Sequence, residues 1–228
     1  MADHNIPTSQ HSRVNQKKEI NRHMPSQKYE KVCCMSCHYQ CELNPHPTIK
    51  MINCVENQYC IWPDHNRYLK IGVQFSLINT HYNHVHAGFI FVDFSRYNIR
   101  LFTDSRWIEY LGRTGLRLIL IADRLLQPLA LYWKQHYQQI ISVINARDPK
   151  SEIEKKINFS FLGHRDVRQH RNKLSESEVL ILHLMLAEKT VKEIAALLLM
   201  TDKKIYAVKR SLQNKMGGRG RLNTIISG

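Results

Sequence analysis

KEIAALLLMTDKKIYAVKR, residues 192–210, holds a tight apolar run, a Thr-Asp pair, and then a segment whose cations sit between apolar residues. Thr201 is placed to cap a helix, and Asp202 then lies against its N-terminal dipole. At about 100° per residue, Ile205, Val208, Leu212 and Met216 share one apolar sector, which needs other helices to pack on. Lys203, Tyr206, Ala207, Arg210 and Asn214 occupy the opposite face.

Upstream, Ser175 and Glu178 spell an S-x-x-E capping box, and Thr190 with Glu193 repeats it. The two boxes predict short helices over 176–186 and 191–199, joined to the basic helix at Met200 and Thr201. A short helix, a brief joint and a longer basic helix match a helix-turn-helix, whose second helix enters the DNA major groove. The side chains suit that groove. Arg210 can pair bidentately with guanine, Asn214 can read adenine, and Ala207 lets the helix approach a thymine methyl, with Tyr206 beside them. Lys203, Lys204, Lys209 and the N-terminal amides suit phosphates, which fix register without reading sequence. The competing reading is a solvated basic face that binds nothing.

Charge agrees with an acidic polymer as partner. The 228 residues carry a formal charge of +14, and residues 164–228 hold 13 Lys and Arg against 6 Asp and Glu. A hydrophobic content of 43% is enough for packed cores. No stretch approaches the roughly 18 apolar residues of a membrane span, and the polar start MADHNIPTSQHSR lacks a signal-peptide core, so a cytoplasmic protein is expected.

The middle of the chain reads differently. HAGFIFVDF predicts a buried strand ending at Asp93, LRLILIAD a second over 116–123, and IISVI a third, with a helix over LLQPLALYWKQHY between the last two. IGVQFSLI is ambiguous between strand and short helix. DPKSEIEKKI predicts a helix with Asp148 as N-cap and Pro149 at its first position. This alternation implies an α/β doubly wound parallel sheet followed by a small all-α unit. The expected organisation is a mobile polar extension over 1–54, an α/β domain over 55–163, a basic linker over 164–173 and the helix-turn-helix over 174–228.

Residues 174–224, through L-S-x-x-E-x-x-x-L, K-E-I-A-x-x-L and T-x-K-x-I, resemble the DNA-binding domain of the LuxR/FixJ family. Glu188 stands where that family usually has glycine, Lys204 where threonine is usual, and Val208 where histidine is frequent. The order of elements from Ala87 to Leu162 resembles a response-regulator receiver that has lost its chemistry. Asp93 occupies the phospho-acceptor position, the Ser/Thr position falls at Ala122, the Lys position at Asn145, and no acidic pair precedes Asp93. An aspartate without those partners is poorly equipped for phosphoryl transfer. Over residues 55–226, including YCIWPDHNRYLKIGVQFSLI, the chain resembles enterobacterial regulators of fimbrial operons of the MatA/EcpR type. That resemblance implies a non-enzymatic transcription regulator of fimbrial genes, an activator, with double-stranded DNA as partner and a homodimer as an allowed form.

Cysteines 33, 34, 37, 41, 54 and 60 all lie within the first 60 residues. They read as reduced thiols on a polar segment, and neither they nor His38 and His46 show the two close ligand pairs of a structural zinc site. His81, His84 and His86 read as loop residues. No metal or other cofactor is expected. Two alternatives stay open: a receiver phosphorylated on Asp93, and a metal or thiol sensor built on the N-terminal cysteines.

Overall fold

The computed structural model describes residues 28–52, 54, 58–75, 88–162, 164 and 172–218. Strands β1 (Val32–Cys33) and β2 (Glu42–Asn44) pair antiparallel and are followed by a single turn, α1 (Ile49–Ile52). Strand β3 (Tyr59–Trp62) leads into α2 (Arg67–Val73), and β4 (Phe89–Phe94) into a 3-10 helix over Arg96–Phe102 and α3 (Arg106–Gly112). Strand β5 (Arg117–Ala122), α4 (Gln127–His136), β6 (Ile140–Asn145) and α5 (Lys150–Phe161) complete the α/β domain. Three helices follow: α6 (Glu176–Leu186), α7 (Val191–Leu198) and α8 (Asp202–Lys215).

The four long strands form one parallel sheet in the order β3-β4-β5-β6. Every residue of β4 is buried, which explains its unbroken apolar run, since a strand covered on both faces shows no alternation. Its even residues Ile90, Val92 and Phe94 join Trp107, Leu111, Leu129 and Trp133 on one face. Phe89 and Phe91 join Val73 of α2 and Ile157 of α5 on the other. Gly88 precedes this strand because a Cβ there would stand 2.8 Å from the Gln58 carbonyl oxygen. The α/β class with helices on both faces is therefore as the sequence implies.

Three local readings are settled or corrected. IGVQFSLI resolves as the end of helix α2, capped by the Asn66 side chain accepting from Leu69 N, while the first strand of the parallel sheet is the preceding YCIW. Four residues are too few to show a period, so that strand was not legible. Helix α5 has Pro149 as its cap residue without a side-chain cap bond. The Asp148 carboxylate instead accepts from Lys156 Nζ at 2.5 Å and from Asn145 N at 3.2 Å, closing the β6–α5 turn.

The third correction concerns the mobile extension expected through residue 54, which fails over its described part. Val32, Cys34 and Leu43 are buried against Cys60 and Trp62. Trp62 Nε1 and the Tyr110 hydroxyl both donate to the Glu30 carbonyl, and Asn44 Nδ2 donates to Tyr110 O. A few apolar residues scattered along a polar segment look too sparse to fold; they suffice because they pack on Cys60 and Trp62 of β3. Cys34 and Cys60 are core thiols, with burial pushing Cys60 well above the ordinary thiol range.

In the helical unit both capping boxes form: Ser175 Oγ accepts from Glu178 N while Glu178 accepts from Ser175 N, and Thr190 and Glu193 reciprocate in the same way. Thr201 Oγ1 accepts from Lys204 N. The C-termini share a second device. Lys189 N donates to Leu184 O and Glu188 N to Met185 O, and Met200 N donates to Ala195 O with Leu199 N to Ala196 O. These are Schellman motifs, which favour glycine at the left-handed position. Here Glu188 at φ 61° and Leu199 at φ 51° hold it, so the turn that lacks its usual glycine is strained.

Two outcomes test this description. Leu43→Ala should cost about 2–4 kcal/mol in denaturant unfolding, as for a core leucine, and an exposed-tail value near zero would show that residues 28–52 do not belong to the core. Glu188→Gly should raise stability by up to about 1 kcal/mol, the relieved left-handed strain exceeding the added chain entropy.

Candidate nucleic-acid interface

Helix α8 has two unlike sides. Ile205, Leu212 and Met216 are 0–1% exposed and pack on α6 and α7, with Val208 half-buried beside them. Lys203, Lys204, Tyr206, Ala207, Arg210 and Asn214 are exposed, and Lys209 is half-buried at the margin. Lys203, Ala207, Arg210 and Asn214 recur every three or four residues and therefore line one stripe. Among the described residues neither Lys203, Lys204, Lys209 nor Arg210 has an ion-pair partner, which leaves their charge directed outward.

A buried carboxylate holds this helix in place. Glu178 of α6 is 3% exposed and accepts from Ser211 Oγ at 2.7 Å and Lys215 Nζ at 2.8 Å, besides its capping bond to Ser175 N at 2.6 Å. Burial alone would raise its pKa, but the bonds from Lys215, Ser175 and Ser211 outweigh it and hold the carboxyl below the ordinary glutamate value. Lys215 Nζ also donates to the Lys173 carbonyl at 2.9 Å. Ser211 and Lys215 thus serve the site by orienting it. Sequence reasoning assigned Glu178 to the cap only; its pairing with residues 33 and 37 positions away has no local signature.

The receiver-like centre is also on view. Phe94, Ala122 and Asn145 are register neighbours at the ends of β4, β5 and β6, whereas Asp93 pairs with Ile121, so Ala122 and Asn145 lie one residue beyond it in register. Asp93 is 5% exposed, and its Oδ2 accepts from Asn66 Nδ2 at 3.0 Å. Asn66 is the cap of α2, so this aspartate fastens a helix to the sheet. Asn145 Nδ2 is turned to Gln127 Oε1, and Asp64, just beyond β3, pairs with Lys70 at 2.9 Å. Among the described residues no cation bonds the Asp93 carboxylate.

Cysteines 33, 34, 37, 41, 54 and 60 are all free thiols. Among the described residues no three His, Cys, Asp or Glu side chains are grouped to hold a metal, and no helix is long and apolar enough to cross a membrane. His81, His84 and His86 lie outside the described residues, as do most of the expected linker over 164–173 and the segment 219–228.

The chain is similar to several known proteins. Residues 33–161 match the EcpR N-terminal domain family. Uncharacterized protein YqeH of Escherichia coli (strain K12) is 32% identical over 192 residues, covering 84% of this chain and 91% of that protein. Vi polysaccharide biosynthesis protein TviA of Salmonella typhi is 20% identical, covering 69% and 89%. Among solved structures, the two-component response regulator RcsB in complex with DNA aligns with a TM-score of 0.40 at 18% identity, covering 75% of this chain and 98% of that one. The match begins inside the β1 strand and ends with α5, so the domain it defines coincides with the folded α/β unit, and the chain belongs to the EcpR N-terminal domain family.

Proposed function

We propose that this protein is a sequence-specific DNA-binding transcription regulator that inserts α8 into the major groove and acts on fimbrial or other surface-structure genes. The observation that carries the reading is the two-sided α8: a buried apolar seam set by Glu178, and an outward stripe of Lys203, Tyr206, Ala207, Arg210 and Asn214. Arg210 reads guanine, Asn214 adenine, and Ala207 permits close approach, while Lys203, Lys204 and Lys209 take phosphates. The resemblance to fimbrial regulators and the kinship with a protein named for Vi polysaccharide biosynthesis support surface-structure genes as the target class. Double-stranded DNA is the partner, and a homodimer is the form that a two-fold operator selects. The protein acts in the cytoplasm, as an activator, without enzymatic activity or cofactor.

In this reading residues 55–163 are a regulatory domain that works without a phosphoryl group, and residues 164–173 link it to the helix-turn-helix. Asp93 is engaged by Asn66, and Ala122 and Asn145 offer neither the hydroxyl nor the amine that phosphoryl transfer uses.

Binding titrations on operator and scrambled duplexes at several salt concentrations test the groove assignment. Arg210→Ala should cost about 1–3 kcal/mol on operator and relax preference at one base pair. Lys203→Ala should weaken both duplexes alike and reduce the salt slope by about one unit. An equal loss on both duplexes for Arg210→Ala, with the consensus unchanged, would place α8 on the backbone instead. Incubation with acetyl phosphate should add no phosphoryl mass to the intact protein, and Asp93→Asn should retain operator binding. A labelled Asp93 would restore the phosphorelay reading.

A further inference from the structure

Helix α6 belongs to the helix-turn-helix, yet it also seats that unit on the α/β domain through a few polar contacts. Arg100 Nη1 donates to Leu186 O at 2.6 Å, and Leu174 N donates to Pro128 O at 3.1 Å. Between them His183 Nδ1 meets Thr103 Oγ1 at 2.7 Å. His183 is 4% exposed, and its Nε2 has no hydrogen-bond partner among the described residues. The Thr103 hydroxyl is 3.5 Å from the Arg100 carbonyl, too long to fix its proton, so the 2.7 Å contact forms with either neutral tautomer of the ring. In both, the buried imidazole can take one more proton, and among the described residues Nε2 has no partner to share it with.

A cleft of roughly 150 Å³ reaches this imidazole along the domain junction. Thr103, Asp104 and Ser105 form one wall, Tyr132, Trp133 and Tyr137 another, and Glu176 with Val179 and Leu180 the third. Glu176 is exposed, so the cleft connects the buried ring to solvent. It is smaller than the roughly 300 Å³ at which organic ligands are usually housed, but ample for water. The ligand such a site can take is a proton.

We propose that His183 is an acid-sensitive latch: protonation of its imidazole puts an uncompensated cation into the junction and releases the helix-turn-helix from the α/β domain. Asp104 is near, but its carboxylate is held by Arg106 through Nε at 2.9 Å, Nη2 at 2.6 Å and the backbone N–H. Arg106 and Arg100 are themselves cations. Tyr132 of α4 is pushed up to about 12 by burial and stays neutral, and Tyr137 is likewise a phenol. On α6 itself Glu176 lies at the wet mouth of the cleft, and Glu178 is turned to Lys215 and Ser211. Burial, with Arg106 adding to it and Asp104 opposing, keeps the imidazole below the ordinary histidine value. The released state therefore binds the extra proton. Docking is complete above about pH 6.5 and weakens as pH falls below it. Glu178 does not confuse this window, because its own depressed value places its loss at more acid pH.

Small-angle scattering of the full chain between pH 7.5 and 5.0, alongside far-ultraviolet circular dichroism, tests the latch without reference to DNA. The expected result is an increase in radius of gyration with helical content retained, centred below about pH 6.5. His183→Gln, which keeps a hydrogen-bonding nitrogen but cannot titrate, should stay compact across the range, and His183→Lys should be expanded already at pH 7.5. Imidazole NMR of the unmodified protein supplies a check that needs no variant: the His183 titration midpoint should coincide with the expansion. An unchanged radius, an expansion that persists in His183→Gln, an imidazole midpoint apart from the expansion, or a simultaneous loss of helicity would each overturn the proposal.

Discussion

The buried carboxylate of Glu178 sets the orientation of α8 and of the exposed basic stripe that it carries. It ends one helix by capping it and at the same time accepts from Ser211 and Lys215 of α8, at 2.7 and 2.8 Å. An ion taken out of water is costly unless its lone pairs are filled, and here they are. Because the two roles share one side chain, the cap of α6 and the azimuth of α8 cannot vary independently. The exposed stripe from Lys203 to Asn214 follows from that geometry, with Ile205, Leu212 and Met216 supplying the complementary apolar contact.

In the α/β domain the polar side chains at the carboxyl ends of the strands make structural bonds: Asp93 to Asn66, Asn145 to Gln127, and Asp148 to Lys156. These polar side chains close turns and fasten α2 and α5, which is a sufficient reason for their presence. The helical unit packs at the opposite face of the sheet, where Phe102, Trp107 and Trp133 back the Thr103 segment that contacts α6.

Local rules made the helical unit legible almost residue by residue. Capping boxes act over three residues, apolar seams over one turn, and both are complete within the segment that they organise. The long strands were legible for a related reason, since burial on both faces leaves a continuous apolar run. Strand YCIW and the β1–β2 ribbon were not, because their two to four residues are stabilised by surfaces that other segments build. The reading of residues 28–54 as part of a mobile tail failed on the same point: Val32, Cys34 and Leu43 are sparse in the sequence but converge on Trp62 in space.

The sequence by itself determined the long buried strands, the two capped helices and the apolar and basic sides of α8. It also marked Glu188 as a departure, and the backbone there is left-handed as that departure implies. Only the tertiary structure decided that Glu178 anchors α8, that Asn66 engages Asp93, and that His183 is sealed against Thr103 some 80 residues away. The reason is physical: propensity and periodicity act through neighbours along the chain, whereas desolvation and hydrogen-bond satisfaction of a buried polar group depend on whatever the fold brings to it.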